Sequence, residues 1–322
     1  MLAFLTISFQ HSYIIPGRKL IMELRQMEYI LMIQEEKSIT RAAERLFLTQ
    51  SALNQQLQKL EEELGTPLFI RTRSDWKPTP AGQVCIEAAK NILNIKKDAC
   101  SRIQDMADTS RRTFSVGLIP ERGVDMFTAI YPEFHRRFPH VILEPQECNV
   151  RTMQKSITKG QLDLGLITLT EEQKDENTYL HMADEEIFLA VPSIHPLAFL
   201  GSPNAADAPD IDLGNFSGDS FIQISQSSTM YQLSERLFEE AGFAPHVLFY
   251  TVSNVSKYRM VLAGIGCALL PAVFAVPNEN AVFFRLKQHP AWEITMCCRK
   301  DAYLSTAEKA FLDLCRRYWE LQ

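Results

Sequence analysis

From Leu24 the apolar positions fall at three- and four-residue spacing, and Leu24, Met27, Ile30 and Leu31 mark the buried face of a first helix. Ser38 is placed to cap a second helix with Ala42, Ala43 and Leu46 inside it. Two alanines there let a neighbouring helix cross closely. Thr49 caps a third, with Leu53, Leu57, Leu60 and Leu64 down one side and Gly65 and Pro67 at its end. At about 100° per residue, Ser51, Gln55 and Gln58 lie opposite the leucines, with Asn54 and Lys59 on the flanks. The acid Glu62 sits towards the C-terminal end. A solvated face more often mixes Glu and Lys throughout, whereas amides can pair bidentately with adenine in the major groove. A tight helix pair exposing the N-terminal half of its second member has the helix-turn-helix geometry.

The segment PLFIRTRSDWKPTP then offers a short strand, a turn at Ser74-Asp75, and the cations Arg71, Arg73 and Lys77. Directly after a helix-turn-helix these form a wing that holds phosphates and carries no sequence information. Thr79-Pro80 starts a long helix, cap first and proline next. Val84, Ala88, Ile92, Ile95, Ala99, Ile103 and Met106 continue one apolar stripe along it. Lying between two folded regions, the stripe has no local core to bury it and reads as a dimer interface between helices.

After a polar hinge, TSRRT at 109–113, strand and helix alternate. TFSVGLI is followed by a helix from Val124 to Arg137, HVILEPQEC by a helix in RTMQKSITKG, and then comes the strand QLDLGLITL. The cycle returns with SFIQIS, a helix from Thr229 to Ala241, HVLFYTV, a helix from Val255 to Leu262, and GCALLP. Such alternation implies parallel sheets, and two units in succession imply two lobes. AVFFRL, AWEITMCCR and a last helix from Ser305 to Trp319 bring the chain back to the first lobe. In open parallel sheets ligands sit beyond the carboxyl ends of strands, where helix N-termini point. IPERG (119–123), QSSTM (226–230) and VSNVS (252–256) are such junctions, and their hydroxyls, amides and N–H groups favour an anionic or carboxylate-bearing ligand. Candidate ligand residues are Pro120, Glu121, Arg122, Thr168, Gln226, Ser228, Thr229, Ser253 and Asn254. Ser228, Thr229, Ser253 and Asn254 stand out among them, and each is also placed to serve as a helix cap.

Composition narrows the classes. Of 322 residues, 46 % are hydrophobic and 22 % charged, which is ordinary globular usage. The formal charge of −6 argues against a basic nucleic-acid coat protein but not against local DNA contacts. Seven scattered cysteines without a C-x-x-C spacing read as reduced thiols. The run Leu2 to Phe9 is shorter than the about 20 apolar residues that span a bilayer. Residues 1–21 lack the flanks of a signal peptide and read as an extension or an upstream start. No G-x-S-x-G, H-E-x-x-H, Walker loop or G-x-G-x-x-G occurs, and no histidines pair at metal-ligand spacing, so no catalytic, cofactor or metal site is expected.

The stretch MELRQMEYILMIQEEKSITRAAERLFLTQSALNQQLQKLEEELGTPLFIRT, with its AAERL run, TQSAL turn, KLEEELG end and PLF-x-R wing, resembles the amino-terminal domain of LysR-type transcriptional regulators. The order of the remaining chain fits too, so the likeness covers roughly 22 to 318. It implies a winged helix-turn-helix over 22–79, mainly α, and a linker and dimerisation helix over 80–108. An α/β two-lobed, periplasmic-binding-protein-like effector domain over 113–322 follows. Its first lobe is expected over about 113–172 and 278–322, and its second over about 173–277. The DNA-facing set is Thr40, Arg41, Gln50, Ser51, Asn54, Gln55, Gln58, Lys59, Arg71 and Arg73.

The sequence departs from the family where it matters for specificity. Ser51, Asn54 and Gln55 stand where proline, serine and arginine are usual. Glu121 and Arg122 follow Pro120 where serine or threonine is common, and Val150, after Cys148 and Asn149, stands where threonine is frequent, so Asn149 and Val150 join the effector set. Glu121 would repel a carboxylate or pair with a cation, and Arg122 would do the reverse. Cys148 reads as an ordinary small side chain, and His195 in SIHPLA matches a surface turn.

The resemblance implies a cytoplasmic, ligand-responsive transcription regulator. Its partners are double-stranded DNA, a small effector, a second copy through the linker helix, a tetramer of such dimers, and RNA polymerase. It is neither an enzyme nor a membrane protein. The competing reading is a two-lobed solute-binding protein, which would carry a cleavable signal peptide and no helix-turn-helix.

Overall fold

The structure is a computed structural model, describing residues 22–72, 76–106, 112–226 and 228–321. The 1–21 extension, the Ser74-Asp75 turn with Arg73, and the hinge at 109–111 lie outside the described residues. The chain divides into two compact units, one through Cys100 and the other from Ser101.

In the first unit, α1 (Leu24–Glu36), α2 (Ile39–Arg45) and α3 (Gln50–Leu64) pack around one apolar core. Both caps form: Ser38 Oγ accepts from the Arg41 N–H at 3.4 Å, and Thr49 Oγ1 from the Ala52 N–H at 3.2 Å. Each satisfies an amide the first helical turn would otherwise leave open. Ala42 and Ala43 are fully buried, so α1 and α3 close onto α2 at the small side chains. Gly65 ends α3 in the left-handed conformation, φ 73°.

β1 (Phe69–Arg71) and β2 (Trp76–Pro78) form the antiparallel wing, Phe69 opposite Pro78 and Arg71 opposite Trp76. α4 (Pro80–Met106) begins inside this unit with Cys85 and Ile86 in the core, and Gly82 lies directly on the Leu68 carbonyl. The stripe on α4 stays in solvent: Val84, Ile92, Ile95, Ile103 and Met106 are all exposed, Ile95 at 67 %.

In the second unit, β3 (Arg112–Leu118) lies between β4 (Val141–Glu147) and β5 (Leu164–Leu169), all parallel. α5 (Arg122–Arg137) and α6 (Val150–Thr158) make the connections. β12 (Ala291–Cys298) runs antiparallel between β5 and β6 (Thr178–Pro192), so that β6 has the direction of β3 to β5, and α9 (Thr306–Glu320) packs on α5. In the other lobe β8 (Ser220–Ile224) and β9 (His246–Thr251) are parallel, joined by α7 (Thr229–Glu240). α8 (Asn254–Leu262) leads to β10 (Ala268–Pro271), and β11 (Ala281–Leu286) pairs with the two-residue β7 (Asp210–Ile211).

β6 belongs to both lobes. Thr178 to Glu186 pair with β12, while Ile187 to Pro192 pair with β10 and β11. The expected division at 278 is therefore corrected. β11 stays in the second lobe, with Phe283 and Phe284 in its cores, and the chain crosses back only between β11 and β12. The expected boundary at 173 is corrected likewise, since the first half of β6 remains in the first lobe's sheet.

Candidate DNA-reading face and inter-lobe cavity

On α3, Gln50, Ser51, Gln55, Gln58 and Lys59 are exposed and Asn54 is half-buried, while Leu53, Leu57 and Leu60 face the core. Thr40 and Arg41 are exposed on α2. Several cations of this unit, Arg41, Lys59 and Arg71 of the DNA-facing set among them, have internal partners. Arg41 lies against Glu36, its Nε 3.3 Å from Oε2, and also donates to the Glu36 carbonyl. Arg45 reaches Glu35 at 2.8 Å and Glu36 at 2.7 Å, and the Arg45 hydrogen bond holds the Glu36 carboxyl below its ordinary range. Lys59 stands 4.0 Å from Glu63. Arg71 donates to Glu61 Oε2 at 2.5 Å and its guanidinium covers the Trp76 ring at 5.4 Å. The other Glu61 oxygen accepts the Leu68 N–H at 2.8 Å, so one carboxylate ties the end of α3 to the wing. Arg73 lies outside the described residues.

The effector candidates come together. A cavity of about 340 Å³ between the lobes is lined by Pro120, Glu121, Arg122, Asn149, Val150, Thr168, Ser228, Thr229, Ser253 and Asn254. Gln226 is not brought in: it is exposed in the turn after β8, hydrogen-bonded to Tyr231. The polar residues arrive at helix starts for a local reason. Asn149 Oδ1 accepts from Thr152 N at 2.9 Å, Ser228 Oγ from Met230 N at 3.2 Å, and Ser253 Oγ from Ser256 N at 3.3 Å, so the capping residues of α6, α7 and α8 all border one space. Ile119, Ile224, Ser225, Val252, Pro271, Phe274 and Trp292 complete the wall. Sequence reasoning missed these because most are apolar residues in strands or just beyond strand ends, and they meet only when the lobes fold together.

Charge at the floor is already paired. Arg122 lies 3.4 Å from Glu185 Oε1, and its guanidinium covers the Trp319 ring at 4.7 Å. Glu185 Oε2 accepts from the Trp292 indole at 2.9 Å. Arg122 is thus committed to β6 rather than open to an anionic ligand. Glu121 reaches across the cavity: its Oε1 accepts from Ser253 Oγ at 2.9 Å and from the Val255 N–H at 3.2 Å. Opposite, Gln173 donates to Gln232 on α7 at 2.6 Å, and Arg236 lies 3.4 Å from Glu172. The largely exposed run at 171–177 therefore spans the cleft at one end. Asn177 there is buried and donates to Thr158 Oγ1 at 3.0 Å.

Burial pushes the thiol pKa of Cys148 up, and that of Cys267, Cys297 and Cys315 further up, the opposite of what a reactive thiolate needs. His195, expected in a surface turn, is largely buried and lies 2.9 Å from Asp219. Among the described residues no helix is long and apolar enough to cross a membrane.

Comparison with known proteins agrees along the chain. Residues 24–83 match the model of the bacterial regulatory helix-turn-helix protein, lysR family, and residues 107–320 match the LysR substrate binding domain. The uncharacterized HTH-type transcriptional regulator YcgK of Bacillus subtilis is 26 % identical over 92 % of this chain and 94 % of its own length. The transcriptional dual regulator OxyR of Escherichia coli is 28 % identical, over 80 % of this chain and 82 % of its own. Among solved structures, a full-length OxyR variant from Pseudomonas aeruginosa shares the fold with a TM-score of 0.60, at 21 % identity and covering 94 % and 95 % of the two chains. The effector binding domain of QuiR in complex with shikimate matches with a TM-score of 0.55 at 19 % identity, over 66 % of this chain and 99 % of that one. A winged helix-turn-helix followed by a two-lobed α/β effector domain, with both family models matched in order, places this chain in the LysR family of DNA-binding transcriptional regulators, which are not enzymes.

Proposed function

We propose that residues 22–79 read DNA, 80–108 join two copies, and 113–322 sense a small molecule held between the lobes. The amide face of α3, from Gln50 to Gln58, faces base edges, and Thr40, Arg41, Lys59, Arg71 and Arg73 approach phosphates. The exposed stripe on α4 pairs with its copy, so that two reading heads meet a two-fold site. Dimers associate into a tetramer, lobe movement alters their spacing on DNA, and RNA polymerase reads the result in the cytoplasm.

The observation that carries the sensing role is the cavity, bordered by the caps of three helices and floored by an internally paired arginine. An effector with an apolar body fits Ile224, Phe274 and Trp292, and a carboxylate or other anionic group is favoured at the starts of α6 and α7.

The test has two parts. Bound fragments are selected from random and genomic DNA and the best is footprinted, where a two-fold protected site is expected and no enrichment over random DNA rejects the DNA role. A panel of small carboxylates drawn from the neighbouring genes' chemistry is then titrated. Thr168→Val in the cavity wall is expected to abolish the response while leaving DNA binding intact. A response untouched by that change places the effector elsewhere.

A further inference from the structure

Glu121 sits at φ 66°, ψ −91°, a strained backbone conformation that L side chains rarely adopt. Glycine would relieve it, yet the residue there is a glutamate whose side chain is engaged 132 residues away in the sequence. Its carboxylate takes the Ser253 hydroxyl and the Val255 N–H, the second amide of α8, which is where an anion binds at a helix start. Ser253 in turn accepts from Ser256 N, so one protein carboxylate and one cap satisfy this end together. The neighbouring cavity-lining Asn254 carries a buried Oδ1 with no partner. The unmet capacity at this end is therefore an acceptor oxygen, which a carboxylate cannot satisfy. Lys257, in the next turn of α8, is fully buried with its Nζ unpartnered; burial disfavours its protonated form and the Glu121 charge only partly opposes that.

We infer that Glu121 is a built-in carboxylate that determines effector specificity: it fills the anion-binding start of α8 from the opposite lobe and keeps an effector carboxylate out of that end. This deepens, and rests on, the reading of the cavity as the effector site. An anionic effector then has only the starts of α6 and α7 to use, and the group it turns towards α8 is a hydrogen-bond donor.

The probe is acetate, compared with chloride at equal ionic strength and pH, on the full-length protein. The thermal midpoint of the wild type is expected to show at most the acetate response of the α6 and α7 starts. Glu121→Ala is expected to lower it by about 3 °C or more, and acetate, entering the vacated end, to recover a substantial part of the loss in a saturable way. Should the alanine variant fail to fold, Glu121→Gly opens the same end while relieving the backbone, and the same acetate response is expected of it. A wild type stabilised by acetate as strongly as the variants, or variants with no acetate-specific response, overturns the inference. Acetate rescue needs no effector, so its failure removes the role of Glu121 alone, whereas the Thr168→Val result tests the cavity itself.

Discussion

The Trp292 indole donates to Glu185 Oε2 at 2.9 Å while Arg122 holds the other oxygen at 3.4 Å, joining β12, β6 and the start of α5 beneath the cavity. Glu185→Ala strands a guanidinium that is mostly out of solvent, and removing one partner of such a pair costs about 3–5 kcal/mol. Trp292→Phe removes only one hydrogen bond to a charged group, about 1.5–3 kcal/mol. Urea unfolding followed by circular dichroism should show the larger loss for Glu185→Ala. Equal losses would mean that Arg122 is not dependent on Glu185.

Burial lowers the Lys257 pKa to about 7, with the Glu121 charge opposing. Between that value and its ordinary value of about 10.4 the unfolded chain holds a proton that the folded chain lacks. The cost of burying the amine is therefore full below about pH 7 and fades as pH rises. Relative to Lys257→Met, wild-type stability should climb with pH by up to about 1.4 kcal/mol per unit between pH 7.5 and 9.5. Urea midpoints of both proteins at those two pH values measure this, and parallel behaviour would refute a neutral buried lysine.

Gln55→Ala should reduce discrimination between selected and random DNA while leaving the salt dependence unchanged. Arg71→Ala should weaken all sequences alike and reduce the salt slope by about 1. Because Arg71 is paired with Glu61 in the free protein, Glu61→Ala frees the cation but also unties the wing. Fluorescence anisotropy at several salt concentrations separates the three. Even loss of affinity across sequences from Gln55→Ala would contradict base reading.

Ile95→Asp combined with Ile103→Asp should leave the protein folded and make it monomeric, since both side chains are exposed in a single chain. Sedimentation velocity reports the mass. A variant that remains dimeric would show that α4 is not the interface.

Gly82→Ala should unfold the DNA-reading unit. Its added methyl would strike the Leu68 carbonyl and backbone, which cannot move as a flexible side chain could. A loss of at least about 2 kcal/mol in that unit's unfolding is expected, with the effector unit unaffected.

What could be read from the chain was what is encoded locally. The caps Ser38, Thr49, Ser228 and Ser253 bond to amides two or three residues away, so short windows suffice to place them. The leucine stripe of α3 has one period and one face. β6 escaped because it has neither: its first half is unevenly exposed, and IFLAVP is buried on both faces. Trp292 and Phe274 could not be assigned to the cavity because strands far apart in sequence bring them there. The bond from Ser253 to Glu121 lies beyond any local pattern, and only the positive φ of Glu121 hints at it in the structure.

Since β6 is hydrogen-bonded to β12 along one half and to β10 and β11 along the other, neither lobe can slide along it without breaking a ladder. Twisting about the strand leaves both ladders paired. The joint therefore has the geometry of a torsion bar, in which molecules wedged into the cleft are expected to drive the same rotation. A regulator built this way can change what it senses by altering the wall, without redesigning its output.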